Sequence, residues 1–141
     1  MAQVVTQYSA FREHLLTDTI ILSTDTLKVA LVANTYSFNA SDTEWSDVVA
    51  HEISGAAYTA GGQTLANVSA SHTTDHGILD ADDAVWPGAD LTARYAVVYR
   101  AGTINGYTDP LVYCLLLDDT PADFTSTNFT VLFNTLGLLR I

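Results

Sequence analysis

The stretch from Leu91 to Leu117 constrains the fold more than any other part of this chain. From Leu91 to Arg100 the residues alternate. Leu91, Ala93, Tyr95, Val97 and Tyr99 form one set, and Thr92, Arg94, Ala96, Val98 and Arg100 the other. A period of two places these sets on opposite faces of a strand. Asn105-Gly106 follows, a dipeptide that accepts the positive φ angles of a tight turn. Pro110 to Leu117 is then almost continuously apolar, as a strand covered on both faces should be.

Other segments add shorter elements. Tyr8, Phe11 and Leu15 recur at helical spacing, which predicts a short N-terminal helix over 7–16. Leu27, Val29 and Leu31 alternate with Lys28 and Ala30, which predicts a strand over 27–33. Ser41 and Glu44 have the spacing of a capping box, and Trp45, Val48 and Val49 follow at helical intervals. A second short helix or turn is therefore expected over 42–49. Gly55 and Gly61-Gly62 punctuate the chain, with a strand expected over 63–70 and a polar edge strand over 71–79. A turn region containing Pro121 and closing strands over 128–134 and 138–141, separated by Gly137, complete the pattern. The expected fold is mainly β: a single-domain β-sandwich or flattened barrel over 1–141, capped by one or two short helices.

A chain of 141 residues suits one domain. Its 48% hydrophobic content is too high for intrinsic disorder. The single cysteine, Cys114, lies in the apolar run and is expected to be a buried hydrophobe. The N-terminus lacks the basic-then-apolar order of a leader. No run approaches the length of a membrane span. Charge is lopsided: five bases oppose sixteen acids, for a net charge of −11. Between Lys28 and Arg94 there is no Lys or Arg, while nine acids occur. Such a chain repels phosphate, so neither nucleic acid nor an anionic membrane is an expected partner. It could complement a basic protein surface.

No motif points to catalysis, a metal or a cofactor. The acidic turn Asp80, Asp82 and Asp83 lacks the glycine and acid offsets of a calcium loop. His72 and His76 are four apart in a segment read as extended, where they span roughly 13 Å, too far to share a metal. His51-Glu52 lacks the second histidine of a zinc protease, and no G-x-S-x-G elbow or phosphate loop is present. The residues left as interface candidates are Arg94, Arg100, Trp45 and Trp86. The two arginines could form a docking ridge for carboxylates or pair with the chain's own acids, such as Asp80 to Asp83. The two tryptophans could be interface anchors or core aromatics. Tyr36, Trp45 and Tyr107 are the loop aromatics that a glycan-binding rim would need.

Five phrases carry a resemblance: 25–32 (DTLKVALV), 52–65 (EISGAAYTAGGQTL), 80–86 (DADDAVW), 91–100 (LTARYAVVYR) and 129–141 (FTVLFNTLGLLRI). In this order they resemble a family of small virion structural proteins of tailed bacteriophages. The polar stretch 69–75 departs from that pattern. The resemblance implies a capsid decoration (cement) protein that binds the major capsid protein on the outer shell and stabilises the head. It would be made in the bacterial host cytoplasm and end on the capsid exterior. A homo-oligomer, dimer or trimer, is the expected assembly. A tail or head–tail joining protein, or a receptor- or glycan-binding accessory module, is the alternative.

Overall fold

The computed structural model describes residues 4–22, 24–72, 74–75, 77–88, 91–117, 122–124, 128–131 and 139–140. In chain order its elements are β1 (Val4–Gln7), α1 (Ser9–Leu16), β2 (Leu27–Val32), β3 (Gln63–Thr64), β4 (Ser69–His72), β5 (Gly77–Asp80) and β6 (Ala84–Pro87). These are followed by β7 (Leu91–Ala93), β8 (Tyr95–Arg100), β9 (Thr103–Ile104), β10 (Tyr107–Thr108), β11 (Leu111–Leu116), β12 (Ala122–Phe124), β13 (Asn128–Val131) and β14 (Leu139–Arg140). Two single 3-10 turns, Trp45–Asp47 and Val49–His51, lie between β2 and β3. The protein is mainly β, as its alternation requires.

The frame is an antiparallel five-stranded sheet in the order β1-β11-β8-β2-β3. Strand β8 pairs with β2 along its whole length, from Leu27 opposite Arg100 to Val32 opposite Tyr95. On its other side it pairs with β11, with a register shift between Leu111 and Tyr113. The edges β1 and β3 do not pair with each other, so this sheet does not close into a barrel. Smaller antiparallel groups, β4–β5–β14, β6–β13, β7–β12 and β9–β10, make up the rest of the described strands.

Tyr95 to Tyr99 are all buried, so both faces of β8 are covered. On one face the segment 34–51 lays down aromatic rings. Trp45 stacks on Tyr99 at 5.0 Å and 14°, and Tyr36 meets Tyr95 edge-on at 5.6 Å. On the other face the Gln63 amide, beside Val29, donates to the Val85 carbonyl of β6 at 2.9 Å. Trp86 of β6 packs between Tyr58 and Phe129. Burying a side chain of this size contributes roughly 1.5–3 kcal/mol, and these aromatics make up much of the core.

The chain changes sheets at Arg94. Strand β7 pairs with β12 and β8 with β11 and β2, and Arg94 is the bend between them. Its N–H still donates to Val32 and its carbonyl accepts from Leu117. Corners of layered β proteins are commonly made this way.

Several expectations change. Strand β1 takes Val4–Gln7, where no strand was expected, and the helix expected over 7–16 starts at Ser9. The capping residue of the 3-10 turn is Glu44, in a box with Asp47, and not Ser41. The Asp47 carboxylate accepts the Thr43 and Glu44 N–H groups, which hold it below its ordinary pKa. The strand expected over 63–70 ends at Thr64, where Leu65 N–H makes a last bond to Leu27 and Asn67 takes φ 54°. In place of one polar edge strand over 71–79 there are two paired antiparallel strands, β4 (Ser69–His72) and β5 (Gly77–Asp80). Pro121 and Gly137 lie outside the described residues.

Candidate interaction surface

Arg100 ends β8, where its Nε lies 3.2 Å from the Asp25 carboxylate, with side-chain exposures of 16% and 14%. The Nε–H is not aligned for a hydrogen bond, so the attraction is that of an ion pair. Asp25 also accepts the Ile21 N–H at 2.7 Å, which fixes it as a partner. The acid that pairs with Arg100 is therefore Asp25 and none of Asp80, Asp82 or Asp83. Arg94 sits on the sheet corner with its guanidinium 5.5 Å from the Tyr95 ring centroid, a cation–π geometry. Its buried Nε has no hydrogen-bond acceptor among the described residues. The two arginines thus occupy different settings: one is neutralised at a strand end, the other laid on a ring at a bend.

Trp45 is 8% exposed and Trp86 is 4% exposed. Both belong to the core cluster through the stacking described above. Tyr36 is buried, and Tyr107 is half covered against His14. Of the three loop aromatics, none is freely exposed.

The acidic turn is held by its own chain. Ala81 N–H bonds to Asp80, the Asn67 amide bonds to Asp82, and Asp82 N–H bonds to Ala66. Among the described residues no three His, Cys, Asp or Glu side chains converge as a metal site would require. His51 shares a hydrogen bond with Thr35, and His72 is exposed on β4. His76 lies outside the described residues.

The most developed polar arrangement was not predicted as such. Glu52 accepts the Tyr58 hydroxyl at 2.8 Å and the Gly61 N–H at 2.6 Å through one carboxylate oxygen. The Tyr58 oxygen also accepts the Leu31 N–H of β2 at 2.9 Å. The glycine-rich phrase is in this way clasped onto the sheet. Burial raises the Tyr58 phenol far above its ordinary pKa, so it stays a neutral donor. A second chain of bonds runs from Tyr8 to Tyr36 to Asp42. Tyr36 gives its one proton to Asp42, so Tyr8 donates to Tyr36. Tyr58 lies six residues from Glu52 and Tyr36 six from Asp42, a spacing that matches no motif, so only folding shows that they meet.

An apolar depression of about 140 Å³ is lined by Thr6, Phe38, Tyr95, Cys114 and Leu116. Burial pushes the Cys114 thiol up to about 12. A thiol held that high is protonated at neutral pH and is a poor nucleophile. Compared with protein-family models, curated proteins and solved structures, the chain gives no match.

Proposed function

We propose that this chain is a virion structural protein of a tailed bacteriophage, and within that class a capsid decoration protein bound to the major capsid protein on the outer shell. The observation that carries the reading is the ordered set of five phrases over 25–32, 52–65, 80–86, 91–100 and 129–141. Four of them lie wholly among the described residues, on β2, the Glu52 clasp, the acidic turn leading into β6, and β7 with β8, and the fifth overlaps β13 and β14. Charge supports the same reading. A protein at −11 is repelled by packaged DNA and drawn to basic protein surfaces. Attachment at the shell exterior as a dimer or trimer follows from the same proposal. The test is copy number per virion by quantitative mass spectrometry. Hundreds of copies support decoration; about six or twelve would replace it with a tail or head–tail joining role.

A further inference from the structure

His14 is the only buried histidine among the described residues, at 1% exposed. Neither ring nitrogen has a hydrogen-bond partner among the described residues. The imidazole and Tyr107 rings meet at a steep angle, with centroids 4.5 Å apart and planes at 63°. Tyr107 belongs to the β9–β10 hairpin, which has only two residue pairs, Tyr107 with Ile104 and Thr108 with Thr103. Its turn, Asn105-Gly106, sits at φ 49° and 84°. A two-stranded ribbon this short is marginal alone and depends on what it packs against. Near α1 it has one further tie, from the Asn105 amide to the Thr19 hydroxyl at 3.2 Å. Thr19 and Ile20 in turn donate their N–H groups to the His14 carbonyl. The end of α1 and the hairpin therefore meet through His14 and its immediate neighbours.

Protonating His14 in this contact would bury a charge and leave two N–H donors with no acceptor among the described residues. Burying an unpaired charge is strongly unfavourable. Three acids on neighbouring elements are engaged elsewhere: Asp25 with Ile21 N–H and Arg100, Asp109 with Gly102 N–H, and Glu44 with Thr108 N–H. Asp18, in the turn after α1, is exposed to water. On β11, against which α1 packs, the buried Tyr113 phenol stays neutral. On α1 itself, Glu13 is exposed and favours the cation, but less than burial opposes it. We propose that the His14–Tyr107 contact is an acid-sensitive latch: when His14 gains a proton, the 103–108 hairpin lifts from the end of α1 while the five-stranded sheet stays formed.

The sign follows from burial. The closed state holds the imidazole below its ordinary value, whereas the open state leaves it near about 6.5. Closure is at full strength above about pH 6.5 and weakens as pH falls, by up to about tenfold per pH unit. Carboxylates of ordinary pKa titrate near about 4, below this window.

Amide hydrogen exchange on the full chain at pH 7 and pH 5, corrected for intrinsic exchange, tests this. The Thr108, Asp109, Thr19 and Ile20 amides should lose about tenfold or more in protection, while Val97 and Val98 keep theirs. His14→Phe and His14→Gln, which cannot titrate but leave His51 and His72 in place, should show no such loss. Undiminished hairpin protection at pH 5, or the same loss in whichever of the two variants folds, would overturn the proposal.

Discussion

The Tyr99 hydroxyl donates to the Gly61 carbonyl at 2.6 Å, joining positions 38 residues apart. This bond and the Glu52 carboxylate hold the two polar groups of Gly61, one the carbonyl and the other the N–H. Tyr99 also supplies the ring on which Trp45 stacks. One side chain of the central strand therefore pins the glycine loop and carries the aromatic cover.

Tyr99→Phe keeps the stacking and removes the hydroxyl. It should cost about 1 kcal/mol of folding stability, the usual net worth of a neutral hydrogen bond. Glu52→Gln leaves two donors facing a weaker acceptor and should cost about 1.5–3 kcal/mol, since bonds to a charged group are stronger. Urea unfolding with unchanged m-values reads both. If Glu52→Gln proves as stable as the native chain, the clasp is not what holds the loop.

Two glycines at positive φ separate backbone strain from crowding. Gly106 sits at φ 84° with open space where a Cβ would be, and Gly62 at φ 78° with a Cβ position that overlaps the Val29 backbone. Gly106→Ala should cost about 1–2 kcal/mol, the strain of a left-handed conformation alone. Gly62→Ala should cost about 3–5 kcal/mol, because loop and β2 must also move apart. Equal costs, measured by thermal unfolding, would show that the close approach at Gly62 is relieved cheaply.

The parts of this fold visible in the sequence are those set by side-chain period. Strands β2, β8 and β11 have long apolar or alternating runs, and α1 has a helical stripe. Strand β1 was hidden because Val4–Gln7 is short and runs straight into the helix pattern. The strand expected after Gln63 is cut by the Asn67 turn, which an isolated Asn does not announce. The candidate residues show a different limit. Trp45 and Trp86 have the same composition signal whether they anchor a partner or fill a core, and only packing decides between them. Arg100 finds Asp25 because β2 lies beside β8, a long-range pairing that residue spacing does not encode. Glu52 looked like one acid of many, and its role depends on Tyr58 and Gly61 folding back over it.

The Arg100–Asp25 pair should behave as a mostly covered ion pair. A double-mutant cycle with Arg100→Ala and Asp25→Ala should give a coupling of about 1 kcal/mol, at the upper end for pairs with some solvent contact. Arg100→Glu should destabilise more than Arg100→Ala, since it places a second carboxylate beside Asp25. That difference should shrink in 1 M salt, where screening reaches about 3 Å. A cycle with no coupling would mean the contact is geometric only.

Cys114 should be silent in the folded protein. The thiol is 3% exposed, and with its pKa pushed up to about 12 its thiolate fraction at pH 8 is on the order of 10⁻⁴. An ordinary cysteine near about 8.5 is roughly one-quarter ionised at that pH. Iodoacetamide at pH 8 should therefore label the native chain at least a thousandfold more slowly than the urea-unfolded chain, as read by mass spectrometry. Labelling should follow the unfolded population across the urea transition. The depression beside Cys114 sharpens the test, because Thr6, Phe38, Tyr95 and Leu116 leave about 140 Å³ of space there. If that space admitted reagent to an ionised sulfur, labelling would be fast and independent of unfolding. Slow labelling that rises only with urea places the barrier in the protonated, buried thiol.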